Sequence, residues 1–367
     1  MPYAHITGWG MALPKKVLTN DDLSKMVDTN DKWIREMTGI GERRIAVDGQ
    51  TTSVLGLEAS VKALQIANLA PTELDLIICA TSSPDYIFPS TACIIQDRLG
   101  ASKAGGFDLF AACTGFIYAM NMGAQAIRSG SVKNVLVVGA ETLSRYLDWT
   151  DRSTCILFGD GAGAFVLQAS EVPGGVMGAV MHSDGSGGDL LSIPGGGSAH
   201  PASEQTVRAG MHYIHMNGKE VFRFATRVMV QATDEVTKAA GWEIKDLSLI
   251  VPHQANYRII DAAARGLKLP IDKFMVNIEN YGNTSTASIP IAAVEAVQAG
   301  RLNPGDKIVL VGFGAGLTWG ALAIDWTGSM PVQRQVHPEW YRPWARVRSV
   351  LLRLWRWVEG ILFGRGS

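Results

Sequence analysis

Residues 74–85, LDLIICATSSPD, are echoed by residues 247–258, LSLIVPHQANYR. A second pair follows: AIRSGSVKNVLVVGAE at 126–141 is echoed by AVQAGRLNPGDKIVLVGFGAG at 296–316. The register agrees as well, since Leu76 to Gly139 and Leu249 to Gly312 each span 63 positions. Within these segments LDLIICA (74–80), NVLVVG (134–139) and KIVLVG (307–312) are short apolar runs of the kind that form strands buried on both faces. Helical stretches lie between them at 115–130 and 287–300, the second closing on Gly300 as a C-cap does. Short strand-type runs alternating with longer helices predict an α/β layered fold. The repeated register predicts two similar halves, 1–170 and 171–327, packed as a pseudo-symmetric pair ahead of a tail, 328–367.

Composition agrees with a large folded body. Of 367 residues, 47% are hydrophobic and 18% charged, which provides for a sizeable core and argues against disorder. A net charge of −1 suggests no nucleic-acid partner. The average hides an asymmetry, because Gly328–Ser367 carries seven arginines against two glutamates. The four cysteines show no metal-ligand spacing, and neither a signal peptide nor an 18-residue apolar run is found. The expectation is a reduced, cytoplasmic protein without disulfides, metal or cofactor.

Cys113 in AACTGF lies between the strand-like GFDLFAA and a helical run. A thiol at a helix N-terminus feels the positive end of the dipole, which lowers its pKa and favours the thiolate. The alternative is a buried structural cysteine, the reading given to Cys79, Cys93 and Cys155. His253 directly follows the run LIVPH, and NIENYG leads to Asn283 ahead of its own helix, so that Asn283 reads as the repeat counterpart of Cys113. A lone histidine is more often a satisfied structural residue. Here Gln254, Asn256 and Asn283-Thr284-Ser285 make polar company at strand ends, where open α/β sheets place ligand sites. A cysteine able to take an acyl group, beside two neutral donors and without acidic residues, suits thioester chemistry.

Two glycine motifs invite other readings. GDGAGA at 159–164 is followed by FVLQAS, a strand-like run rather than the helix that a pyrophosphate site needs. GFGAG at 312–316 also runs into a strand-like segment, LTWGALAIDW. Both are expected to be turns between strands, the second also available as an oxyanion-binding backbone loop.

DKWIREMTGI, AACTGF, TDRST, FGDGAGA, HMNGKEVFR, VPHQAN, YGNTS and FGAGLTWG occur in this order. On these motifs the stretch 1–327 resembles β-ketoacyl-acyl-carrier-protein synthase III, the condensing enzyme that starts type II fatty acid synthesis. The resemblance implies a thiolase-type αβαβα fold made of two duplicated halves, working as a homodimer. It implies Cys113 as acyl acceptor, His253 and Asn283 as promoters of malonyl-thioester decarboxylation, and the N–H groups of Cys113 and Ala315 as the oxyanion hole. Where Ala315 stands the family usually has glycine. Trp33 and Arg152 match the pair that flanks the adenine of coenzyme A, and Thr38, Gly218, Phe222, Ala255 and Asn256 match the pantetheine tunnel. Phe88 matches the residue that reaches into the partner subunit's acyl pocket. Arg223, Arg258 and Arg265 keep part of the basic patch expected to meet the carrier protein, although two arginines common in the family are replaced by Met37 and Gly41. Asn283 fits neither elongating ketosynthases, which resemble a Cys-His-His pattern, nor thiolases, which need a second cysteine. The implied partners are acyl-CoA and malonyl-acyl-carrier protein. A relative that condenses or transfers acyl groups in secondary metabolism, and a non-catalytic scaffold, are the alternatives; an intact Cys-His-Asn set argues against the scaffold.

The resemblance stops before the tail. Residues 328–339 read as a linker, and from Pro343 onward Trp344, Val347, Leu351, Leu354, Trp355, Val358 and Leu362 recur at spacings of three and four. Arg342, Arg346, Arg353 and Arg356 fall mostly on other faces. This predicts a basic amphipathic helix, whose apolar stripe either docks on the body or a partner subunit, or meets a membrane surface.

Overall fold

The computed structural model describes residues 1–328 and 335–362. Its first half is built on a five-stranded sheet in the order Tyr3–Ala12, Gly161–Ser170, Asn134–Glu141, Leu76–Ala80, Gly105–Leu109. The second half holds a four-stranded sheet in the order Gly175–Ser183, Thr318–Trp326, Asp306–Gly314, Leu249–Pro252. Strand for strand the second sheet repeats the first, lacking only the edge member. The echoed segments of the sequence are therefore the same two strands of each sheet: Leu76–Ala80 runs parallel to Asn134–Glu141, and Leu249–Pro252 parallel to Asp306–Gly314.

The apolar runs are continuous because both faces of each sheet are covered. Alternation decides which residue goes where. Val135 and Val137 point into a central core shared with Phe116, Met120, Ile289, Ala293, Leu310 and Leu322. Leu136 and Val138 point outward, onto the Thr52–Ala67 and Thr91–Leu99 helices. In the second sheet Val309 and Val311 face the Gly218–Ala239 and Tyr257–Leu267 helices in the same way. Helices Gly115–Arg128 and Ser288–Gln298 are thus clamped between the sheets, and the layers run αβαβα.

Glycine permits a close approach between the halves. A Cβ on Gly139 would lie 2.5 Å from the carbonyl oxygen of Thr286, so any side chain there would push the second half off the first sheet.

The repeat also corrects one expectation. Leu76 and Leu249 differ by 173 positions, as do Ala112 and Ser285, the two residues that open equivalent 3-10 turns with φ of 45° and 48°. By that offset the counterpart of Cys113 is Thr286, not Asn283. Asn283 lies three residues earlier, in the approach to the turn. GDGAGA is not a turn between strands, because Gly161–Ala164 already belong to the Gly161–Ser170 strand, whereas GFGAG ends the Asp306–Gly314 strand and turns at Ala315–Leu317 as expected.

The tail forms a helix, Tyr341–Leu362, seated on the Thr91–Leu99 helix. Its contact differs from the expected docking by the apolar stripe. Ala345 and Ser349 are the buried residues, Ser349 donates to Asp97, and Trp344, Leu351, Leu354 and Trp355 stay in solvent. Just ahead of it, Val336 N donates to Asn68 Oδ1 at 2.6 Å and Gln65 Nε2 donates to Glu339 Oε2 at 2.7 Å. Small side chains let two helices approach closely, and long ones on the far side do not take part. Residues 329–334 of the expected linker lie outside the described residues.

Candidate active site

Cys113 sits in the turn Ala112–Thr114, between the Gly105–Leu109 strand and the Gly115–Arg128 helix. It is buried, and burial pushes its thiol up to about 12, with the charge of Glu141 adding to the effect and the Ser285 hydroxyl opposing it. The helix N-terminus was expected to lower this pKa. Desolvation in the closed pocket outweighs it, so the resting group is a neutral thiol.

His253 follows the Leu249–Pro252 strand, and its backbone N–H continues the parallel ladder to Val311 O at 2.8 Å. The imidazole is 1% exposed, packs edge-on against Phe313, and is held down to about 3 by burial. It is therefore neutral. Ser288 Oγ lies 2.7 Å from Nδ1 and also accepts from Gln254 N–H at 3.4 Å. A Ser288 hydroxyl that donates to Nδ1 places the single proton of the neutral imidazole on Nε2, the tautomer in which Nε2 is a donor. Nε2 is buried without a partner.

Asn283 is locked by its backbone and by one end of its side chain. Its N–H donates to Leu157 O at 2.8 Å, its carbonyl accepts from Gly159 N–H at 3.0 Å, and Oδ1 accepts from Ser285 N–H at 2.8 Å. The side-chain NH₂ is the free end, and it is a donor. Cys113, His253 and Asn283 all line one cavity with Gly218, Phe222, Ala255 and Asn256. A second chamber of about 220 Å³ opens beside Cys113, walled by Phe110, Leu143, Phe158, Ile193, Ile214 and Ala315. Gly314 presses against the Cys113 turn, and a Cβ there would lie 2.7 Å from Cys113 N.

The other expected residues divide. Asn30 Oδ1 caps the Asp31–Thr38 helix by accepting from Trp33 N–H at 2.8 Å. Trp33 faces Arg152 directly, with the guanidinium carbon 5.4 Å from the ring, so a flat base between them requires that they part. Thr38 is buried and does not line the cavity; its hydroxyl donates to Ile34 O and accepts from Ile40 N–H. Asn256 caps the Tyr257–Leu267 helix and ties it to Met37 O at 3.0 Å. Arg223 is paired with Glu220, Arg265 with Asp261, and Arg258 lies over the ring of Phe222 at 5.5 Å. Phe88 is exposed, as are Tyr86, Ile87 and Phe110, and it lines neither chamber of its own chain.

Acidic residues are not absent, as the sequence suggested. Glu141 is fully buried behind the nucleophile, accepting from Ser82 N–H at 3.1 Å, Ser285 Oγ at 3.0 Å and Thr286 Oγ1 at 3.2 Å. Burial raises its pKa against the pull of these donors. Glu141 and Ser288 were missed because each touches the site across a large separation in sequence, while Ser285 was noted only as polar company of Asn283. A polar residue ending the apolar run NVLVVGAE was the one available signal.

A buried thiol facing two neutral donors, at the junction of duplicated α/β halves, defines an acyl-transferring condensing enzyme of the thiolase fold. The chain belongs to the β-ketoacyl-acyl-carrier-protein synthase III family. Residues 107–185 match the family model of 3-oxoacyl-[acyl-carrier-protein] synthase III, and 237–326 match its C-terminal model. The chain is 55% identical to the Desulfitobacterium hafniense β-ketoacyl-[acyl-carrier-protein] synthase III, over 88% of this chain and 97% of that one. It is 48% identical to the enzyme of a Roseiflexus species, over 89% and 99%. The crystal structure of 3-oxoacyl-[acyl-carrier-protein] synthase III from Aquifex aeolicus superposes with a TM-score of 0.82 at 48% identity, covering 88% of this chain and all of that one. The reaction that goes with this membership is the condensation of an acyl primer with a malonyl thioester that initiates fatty acid synthesis.

Proposed function

We propose that the primer is an acyl-CoA, that the malonyl unit arrives on acyl-carrier protein, and that Cys113, His253 and Asn283 carry the chemistry. The observation that carries this reading is the single cavity in which a buried thiol meets Nε2 of His253 and the NH₂ of Asn283, both free to donate. Cys113 Sγ attacks the acyl-CoA carbonyl, the C–S bond to coenzyme A breaks, and the thiol proton leaves with coenzyme A. Negative charge on the carbonyl oxygen is met by the N–H groups of Cys113 and Ala315. In the second half-reaction the malonyl C–C bond breaks, CO₂ departs, and the electron pair forms an enolate. His253 and Asn283 donate to the enolate oxygen. The enolate carbon then attacks the acyl group on Cys113, and the Cys113 thiolate is expelled and reprotonated.

The supporting cast follows the same reading. Gly218, Phe222, Ala255 and Asn256 line the pantetheine arm, Trp33 and Arg152 hold the adenine, and Arg223, Arg258 and Arg265 meet the carrier protein. The Gly105–Leu109 strand pairs on one side only, and Tyr86, Ile87, Phe88 and Phe110 stand exposed near it. An open edge beside exposed aromatics suits a homodimer in which Phe88 enters the partner's acyl chamber. The halves 1–170 and 171–327 form the enzyme, 328–367 an added segment, and the protein works in the cytoplasm. The test is mass spectrometry after incubation with a panel of acyl-CoAs, followed by malonyl-carrier protein. An acyl adduct confined to Cys113 and discharged by the malonyl substrate is expected; no adduct, or one that malonyl-carrier protein leaves in place, overturns the reading.

A further inference from the structure

The Tyr341–Leu362 helix turns its apolar side away from the protein that holds it. At about 100° per residue, Ala345 and Ser349 share the side buried on the Thr91–Leu99 helix. The opposite side carries Trp344, Val347, Leu351, Leu354, Trp355 and Trp357, each between 50% and 76% exposed. By the same geometry this uncharged arc covers roughly 160° of the helix. Arg346 and Arg353 border it on one edge and Arg348 on the other, and the whole helix has five arginines against one glutamate. A groove of about 830 Å³ runs beside it, between Leu351 and Trp355 and the body residues Thr72, Gly100 and Ser102. The anchoring is polar and specific, through Ser349 to Asp97, Gln65 to Glu339 and Asn68 to Val336. The body thus fixes the helix by its small-residue side and presents the other.

We infer that this face is a docking surface for an anionic phospholipid bilayer, on which the enzyme rests peripherally. Each property of the face answers one property of that surface. The apolar arc is removed from water at the headgroup–acyl boundary, tryptophans favour that depth, and arginines on both edges keep their charge among lipid phosphates while their stems lie along the apolar zone. Anionic lipid adds attraction for each arginine near the surface. The helix does not cross the bilayer: among the described residues no helix is long and apolar enough to do so. A protein partner would need carboxylates placed along both rims to meet these arginines, whereas anionic headgroups offer charge all around the apolar arc. The inference does not depend on the roles proposed for Cys113, His253 and Asn283.

The experiment uses the full chain, sedimented with phosphatidylcholine vesicles with and without phosphatidylglycerol, at low and moderate salt, with the circular dichroism spectrum and melting temperature as the check of folding. Binding is expected to the anionic vesicles, at least about tenfold weaker to neutral ones, and released by salt. Arg346→Gln with Arg353→Gln, exposed positions on one rim of the arc, should weaken it by on the order of tenfold while the melting temperature stays close to wild type. Leu351→Asp with Leu354→Asp should abolish it. Failure of the full-length protein to pellet with anionic vesicles at low salt overturns the inference, as does binding that the Asp substitutions leave unchanged. If neither form pellets and the Asp variant alone loses a higher oligomer in sedimentation velocity, the face joins copies of this chain and the lipid assignment is wrong.

Discussion

Ser288 Oγ stands 2.7 Å from Nδ1 of His253, and a hydroxyl that donates there keeps the ring's one proton on Nε2. Removing the hydroxyl leaves the tautomer unspecified and the ring less firmly held. Ser288→Ala is expected to slow malonyl decarboxylation by roughly 10-fold, a fraction of the loss of a whole donor, while leaving acylation of Cys113 by acyl-CoA close to wild type. The two half-reactions can be measured separately, by CO₂ release and by adduct mass. Equal losses in both would make Ser288 a packing residue.

Direct removal of the donors should cost more. His253→Ala and Asn283→Ala are each expected to lower decarboxylation by roughly 10²–10³, with the acyl adduct on Cys113 still forming. Cys113→Ala should form no adduct at all. Wild-type CO₂ release from both donor variants would remove His253 and Asn283 from the mechanism.

The pH dependence follows from two displaced pKa values. His253 titrates at about 3 in the folded protein against an ordinary 6.5, so between these values the unfolded chain binds a proton that the folded chain does not. Its contribution to stability is complete above 6.5 and is lost as pH falls toward 3. Cys113 behaves oppositely: its thiol, ordinarily near 9, is pushed to about 12, so its contribution is complete below 9 and is lost as pH rises toward 12. Decarboxylation should accordingly show no acidic limb near 6.5, and iodoacetamide labelling of Cys113 should keep rising with pH past 9. A decarboxylation profile that titrates near 6.5 would mean that the imidazole is accessible to water.

Gly314 tests the oxyanion site. An added Cβ would sit 2.7 Å from Cys113 N and 3.1 Å from Thr114 N, both backbone atoms with little room to move. Gly314→Ala is expected to slow acylation on the order of 100-fold, the effect of blocking one donor to the oxyanion, with the melting temperature lowered far less than activity. Full acylation by this variant would place the developing charge elsewhere.

Much of this protein was legible because its signals are local. A strand buried on both faces announces itself as an apolar run, and LDLIICA, NVLVVG and KIVLVG did so. The constant spacing between their echoes gave the duplication, since two copies of one unit keep their internal distances. Cys113, His253 and Asn283 were legible as residues at strand ends, and the family motifs around them joined them into one site. What the sequence missed has a common cause. Glu141 bonds Ser285 from 144 residues away, Ser288 bonds His253 from 35, and Thr286, not Asn283, proved to be the counterpart of Cys113. Such pairings depend on how two sheets close on two helices.

By itself, then, the sequence determined the layered fold, the repeat and the family, and it singled out the candidate reacting side chains, all of which are written in periodicity and in contiguous motifs. Tertiary structure alone decided the state of those side chains: a thiol kept protonated by burial against a helix N-terminus that favours the thiolate, an imidazole kept neutral, and an amide turned so that its donor end is free. It also decided which side of the tail helix meets the body. The amphipathic pattern fixes the angular positions of apolar and charged residues on one cylinder, but which face is covered depends on the surface it lands on, and Ala345 and Ser349 fitted the Thr91–Leu99 helix closely where the bulky stripe did not. Burial, orientation and contact are sums over neighbours distant in the chain, and no local stretch of residues carries that sum.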